Sequence, residues 1–269
     1  MTPSRSIRAT ALGPDGAREV TRALPEEVPV AVTCNGTTQA VMMCTPADLE
    51  DFARGFAFTE GYARPDQVER VEIIEADQGI EARLWIAEEA AEALGARRRA
   101  MMGPVGCGLC GIESLEEALR DLPPVTGALV LDAGEAAGAA EALRAHQPLH
   151  DLTHAVHAAG FYVPGQGIVL AREDVGRHNA LDKLIGALLR AGIDPASGAI
   201  VITSRVSVEM VQKAVLAGCP ALIAVSAPTA HALRLAEGAG LTVAAFARGR
   251  RIEAFTHTHR IVTGETDVA

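Results

Sequence analysis

Two cysteines spaced as a Cys-x-x-Cys pair, Cys107 and Cys110, sit in the run Gly103-Pro104-Val105-Gly106-Cys107-Gly108-Leu109-Cys110-Gly111. The glycines leave little side-chain cover, so the backbone can bend sharply and a second molecule can come close. Gly103-Pro104 argues against helix and central strand. Three chemistries use such a dithiol. Zinc wants about four ligands, usually from a second Cys pair or a His pair. Cys34, Cys44 and Cys219 form no second pair, and His257 with His259 is a poor substitute. A thioredoxin-like dithiol follows a strand and opens a helix. This pair follows a Gly-Pro loop instead, although a helix is expected over 113–122, and its N-terminus would favour a thiolate at Cys110. The third chemistry is a sulfur relay: one thiolate accepts a sulfane sulfur as a persulfide, and the second assists or resolves.

Two other stretches carry chemistry. Residues 174–183, Asp-Val-Gly-Arg-His-Asn-Ala-Leu-Asp-Lys, crowd six polar groups onto the start of a helix. That reads either as an anion site or as a cap by Asp174 with a solvated face. Phe246, Ala247, Arg248, Gly249, Arg250 and Arg251 follow a buried strand. Three arginines round a glycine suit paired donation to phosphate, or form an ordinary basic hairpin. The segments 204–207 and 226–229 read as strand-to-helix turns whose Ser and Thr serve as caps. His154 and His157 flank apolar residues and read as core or edge histidines.

The elements that hold these groups divide the chain into four parts. Residues 1–25 read as a loose leader. In 26–100, strands are expected over 27–33 and 38–43, joined by the hairpin turn Asn35-Gly36. A helix follows, capped by Thr45 with Pro46 at its first position, and Leu49, Phe52, Ala53 and Phe56 share its face. Strands over 68–76 and 79–87 complete a β-β-α-β-β unit. Residues 101–125 hold the thiol loop and a Pro123-Pro124 junction. Residues 126–269 alternate strands and helices, which predicts a largely parallel sheet covered on both faces, with ligands at the strand carboxyl ends.

Bulk properties narrow the function. The 269 residues are 49% hydrophobic and 22% charged, as in a globular protein rather than a disordered one. The net charge of -10 disfavours DNA or RNA as a partner. No apolar run suits a bilayer and no leader resembles a signal peptide, so the expected compartment is the cytoplasm. Five cysteines, an odd count, argue against a disulfide framework.

Together the segments 56–61, 106–111, 173–186, 204–213 and 224–229, in this order, resemble the FdhD family of formate dehydrogenase accessory sulfurtransferases. The resemblance covers about residues 26–259. It implies a cytidine-deaminase-like α/β/α domain and a homodimer. It implies sulfur taken from a cysteine desulfurase and passed to the bis(molybdopterin guanine dinucleotide) molybdenum cofactor, the metal being molybdenum or tungsten, before that cofactor enters formate dehydrogenase. Cys107 matches the expected persulfide carrier and Cys110 the second thiol. Residues 246–251 match the segment that binds the cofactor and its guanine nucleotide. No resident metal is implied. The chain departs from the family at Thr153-His154-Ala155, where two glycines are usual. A competing reading is a cofactor-binding chaperone without obligatory sulfur chemistry. A zinc deaminase would need His-x-Glu and Pro-Cys-x-x-Cys, and the sequence has neither.

Overall fold

The computed structural model describes residues 1–101 and 121–263. Residues 1–25, expected to be loose, instead form a hairpin of β1 (Ser4–Gly13) and β2 (Gly16–Pro25), paired in unbroken antiparallel register from Ser4↔Pro25 to Gly13↔Gly16. Gly16, at φ 100°, allows the turn. The hairpin is mostly exposed, so its sequence lacks the apolar stripe by which a strand is recognised.

The first compact unit is a four-stranded sheet ordered β4-β3-β6-β5, from β3 (Val28–Cys34), β4 (Thr37–Cys44), β5 (Val68–Ala76) and β6 (Gly79–Ile86). Asn35 and Gly36 both take positive φ, as a two-residue hairpin turn requires. Val30 and Val32 on β3, and Ile80, Ala82 and Leu84 on β6, face the helix α1 (Leu49–Thr59), which contributes Phe52, Ala53 and Phe56 to the same core. One detail of the expectation fails. Thr45 does not cap α1; the N-cap is Asp48, in the left-handed region at φ 52°, with no side-chain cap bond. Helix α2 (Glu88–Met101) adds Ala90 and Leu94 to this core.

The second unit is a six-stranded sheet ordered β13-β12-β11-β10-β8-β9. Its strands are β8 (His157–Val163), β9 (Gly167–Asp174), β10 (Ala199–Ile202), β11 (Ala221–Ala224), β12 (Thr242–Arg248) and β13 (Arg251–Thr256). Only β10, β11 and β12 run parallel; β8, β9 and β13 are antiparallel to their neighbours. The largely parallel sheet expected from the sequence is therefore a mixed one. The reason is the short β8–β9 and β12–β13 links, which turn the chain back as hairpins rather than across a helix.

Both faces are covered, as the continuous apolar strands require. Ile200 and Ile202 of β10 join Leu222 and Ala224 of β11 against α5 (Arg177–Ala191), α6 (Val208–Leu216) and α7 (Ala230–Ala239). The alternate residues Ala199, Val201, Ala221 and Ile223 face α3 (Ala133–Arg144) with its Ala136, Ala139 and Leu143. Three short elements went unread in the sequence: β7 (Leu131–Asp132) pairs with β14 (Ile261–Val262), and α4 (Pro148–Thr153) precedes β8.

Candidate functional site

The thiol pair Cys107 and Cys110, and most of the helix expected over 113–122, lie outside the described residues. The other candidate stretches are all within them.

Residues 174–183 turn out to be mostly interior. Lys183 and Asp174 are fully buried, with Nζ 2.7 Å from Asp174 Oδ2. Lys183 also donates to the Thr45 carbonyl at 3.0 Å and the Glu173 carbonyl at 3.3 Å. Thr45 answers with its backbone N–H to Asp174 Oδ2, and its hydroxyl accepts from Val175 N. Asn179 donates to the Met43 carbonyl and to Asp174 Oδ1. Thr45, read as a helix cap, is thus a clasp between the two sheets. Asp174 does not cap α5, whose N-cap is Gly176; it bonds Gly176 N and holds Asn179. The anion-site reading of this segment is not what its buried half does, because Asp174, Asn179, Asp182 and Lys183 each already have an internal partner.

A second buried set lies one turn on. Lys213 donates to Asp182, Glu60 and Thr59 at 2.8–3.0 Å. Burial works against its charge, but Asp182 and Glu60 outweigh it and hold the ammonium above its ordinary range. Burial pushes the Asp182 carboxyl up, opposed by Lys213 and by the Thr59 hydroxyl at 2.7 Å. Near the α5 start, His178 Nε2 lies 2.6 Å from Glu209 Oε2, but too far out of line for a hydrogen bond. Burial holds His178 below its ordinary value, with Glu209 opposing. His157, beside Thr203 at 3.4 Å, is also depressed, by burial and then by Arg177.

The two strand-to-helix turns divide in role. Thr229 caps α7 by accepting from Ala232 N. Ser207 occupies the N-cap of α6 without a cap bond, and its hydroxyl has no partner among the described residues. His154 holds φ 55° at the end of α4, the left-handed conformation that glycine adopts without strain. The departure from the usual glycines therefore falls where a side chain costs backbone energy.

Residues 246–251 are the outward-facing set. Phe246 sits at φ 54°, within the irregular register between Ala245 and Arg248. A bulky residue in the left-handed region marks local strain, which is concentrated at ligand sites. Phe246 is 44% exposed, and its ring lies 6.2 Å from the Phe255 ring. Gly249, at φ 59° with open space around it, makes the turn to β13. Ala247 alone is buried, packing toward α3.

Phe246, Arg248, Arg250 and Arg251 line an open cavity of about 800 Å³. The opposite wall is Asp132, Ala133 and Gly134, the start of α3. Asp132 caps that helix, accepting from Gly134 N and Glu135 N. Ile252, Glu253 and Thr263 complete the lining. Arg248, Arg250 and Arg251 have no ion-pair or hydrogen-bond partner among the described residues. The cavity opens at the carboxyl end of β12, as expected for a sheet with parallel central strands. Sequence reasoning missed Glu253 and the α3 start. The period-2 alternation of β13, which groups 251, 253 and 255, would have found the first.

This is an α/β protein with a mixed sheet and an open, arginine-lined cavity at one strand end, chemistry suited to an anionic ligand carrying a flat ring. Comparison with known proteins narrows that class. Residues 25–262 match the model of the FdhD/NarQ family. The chain is 49% identical over 260 residues to a protein of Agrobacterium fabrum named sulfur carrier protein FdhD, covering 96% of each. It is 50% identical over 261 residues to one of the same name in Brucella abortus, covering 96% of this chain and 97% of the other. A crystal structure of a protein described as a formate dehydrogenase accessory protein, from Desulfotalea psychrophila, superposes with a TM-score of 0.77 at 26% identity, covering 96% of this chain and 99% of that one. The chain belongs to the FdhD/NarQ family.

Proposed function

We propose that the chain is a sulfur carrier serving formate dehydrogenase. It takes sulfur from a cysteine desulfurase onto Cys107 and delivers it to the molybdenum of a bis(molybdopterin guanine dinucleotide) cofactor, its substrate. The observation that carries this reading is the cavity lined by Phe246 and three arginines without a partner among the described residues, in a chain half identical to proteins named sulfur carriers. Arg248, Arg250 and Arg251 offer planar donor pairs to phosphate oxygens. Ala247 and Gly249 keep the turn slim, and the Phe246 ring offers a face to a base. Two copies of the chain would serve the two guanine nucleotides of one cofactor.

In the relay, the Cys107 thiolate attacks the outer sulfur of the desulfurase persulfide. That S–S bond breaks, the desulfurase thiolate leaves with the electron pair, and Cys107 now bears the persulfide. Attack by the Cys110 thiolate on the inner sulfur of Cys107 forms a disulfide and releases the outer sulfur as hydrosulfide. A thiol reductant then supplies two electrons to restore both thiols, which fits a reducing cytoplasm.

The test is mass spectrometry of the chain after incubation with an active cysteine desulfurase and sulfur-labelled cysteine. The expected result is one labelled sulfur on Cys107, lost on adding reductant and absent from Cys107→Ala. Label on neither cysteine, or normal formate dehydrogenase maturation by Cys107→Ala, would replace the carrier with the chaperone reading, in which the cavity matters and the thiols do not.

A further inference from the structure

The same cavity contains a carboxylate that the anion chemistry does not call for. Glu253 lies on β13 two residues beyond Arg251 and lines the cavity with the three arginines. Left to themselves, a carboxylate and three guanidinium groups on one turn would pair. Glu253 makes no ion pair or hydrogen bond with any described residue. Elsewhere some exposed arginines pair with carboxylates, as Arg5 with Glu26, Arg70 with Glu72 and Arg64 with Asp66, whereas Arg8, Arg18, Arg22, Arg205 and Arg234 pair with none among the described residues. What sets Glu253 apart is that it lines one cavity with three open guanidinium groups and joins none of them. The other acid of the cavity, Asp132, is committed to capping α3. Among the described residues the lining therefore holds three unpaired cations, one unpaired carboxylate and an exposed aromatic ring.

We infer that Glu253 is the base-reading residue of this cavity and selects guanine over adenine. This rests on the proposed binding of a guanine nucleotide there. An ionised carboxylate only accepts hydrogen bonds, through two oxygens. Guanine presents two adjacent donors on its pairing edge, N1–H and the 2-amino group, and matches it. Adenine presents one donor and one acceptor, so one carboxylate oxygen would face a lone pair. Phe246, with the Phe255 ring behind it at 6.2 Å, supplies the face on which the base stacks, an interaction that tolerates any base. Selectivity then falls to Glu253 and strength to the arginines. A carboxylate near phosphates lowers anion affinity, so its presence is explained by discrimination rather than by tightness.

Titration calorimetry of the full chain against GDP, IDP, ADP and pyrophosphate tests this, with wild type and Glu253→Gln. Wild type is expected to favour GDP over ADP by roughly tenfold to a hundredfold, the range of one good bidentate pairing to a base. IDP, lacking the 2-amino group, falls between. Glu253→Gln should collapse the GDP-to-ADP ratio while leaving pyrophosphate affinity equal or higher, since a negative charge has gone. An unchanged ratio in Glu253→Gln overturns the assignment and leaves the nucleotide site standing, as does equal affinity of wild type for GDP and ADP. Binding of neither nucleotide nor pyrophosphate overturns the nucleotide site and this inference together. Thermal unfolding of the variant should match wild type, because Glu253 holds no other described residue in place.

Discussion

Residues 174–183 and residues 246–253 are both short, charge-rich stretches and meet opposite fates. The first stretch folds its Asp174, Asn179, Asp182 and Lys183 inward and partners each one. The second leaves three arginines and Glu253 outward, unpartnered among the described residues. Both have a glycine, and both stand at the carboxyl end of a strand. The difference lies in whether the groups satisfy one another. A buried charge must be satisfied, so pairing there reports on architecture. An exposed charge can be left open, so its lack of a partner is the better pointer to a ligand.

The comparison is sharpest at Lys183. Lys183→Ala leaves Asp174 buried without its cation, which should cost about 3–5 kcal/mol, read as a lower denaturant midpoint at equal m-value. Unchanged stability would erase the distinction between the two stretches. Next comes the helix crossing that presses α1 onto α5. A Cβ on Gly186 would overlap the Asp51 carbonyl, and one on Gly55 the Asp182 carbonyl. Gly186→Ala should therefore destabilise by about 1–3 kcal/mol or more as backbone is forced apart. In the outward stretch, Arg250→Ala with Arg251→Ala should leave stability within about 0.5 kcal/mol. The same change should weaken pyrophosphate binding by about 1.5–3 kcal/mol for each charge-assisted hydrogen bond removed, and flatten its salt dependence.

Two smaller effects follow from titration. His157 and His178 are held below their ordinary range, chiefly by burial. The unfolded chain binds protons there that the native one refuses, so stability falls as pH drops below about 6.5. Stability that stays level from about pH 7.5 to 5.5, after correction for the carboxylates, would contradict this. Thiol labelling gives the last contrast. Burial pushes the Cys34 thiol up to about 11 and Cys219 up to about 12. Cys44 goes higher still, by burial and the neighbouring Asp174. At about pH 8 these three should stay unlabelled in the native protein, and all reagent taken up should map to Cys107 and Cys110.

Much of the frame was legible because it follows from local rules. Asn35-Gly36 specifies its turn, the apolar face of α1 repeats with helical period, and the four-residue strands β10 and β11 are apolar throughout because both their faces are buried. What was not legible is set by distant partners. Strand direction depends on how the chain returns, so the antiparallel β8, β9 and β13 were not apparent. Thr45 reads as a cap by its neighbours, yet its bonds go to Asp174 and Val175. Solvation of 174–183 could not be judged locally either, since the groups that bury it come from residues 43–60. At the candidate site, the arginine turn was readable from composition, whereas Glu253 becomes meaningful only once the hairpin sets it beside them.

The Lys183 ammonium also has something to say about how the molecule assembles. It is held by groups from both halves of the chain, Thr45 on one side and Glu173 with Asp174 on the other. Neither half can finish its interior alone: the later half would keep the Lys183–Asp174 pair but lose the Thr45 carbonyl and N–H that complete it, and the earlier half would lack the helix that α1 dovetails into. The chain should therefore reach its native state in one concerted step. Separately produced fragments ending near residue 101 and starting near 121 should stay aggregation-prone until mixed, so a break in the connecting segment would be tolerated only after the two halves had met.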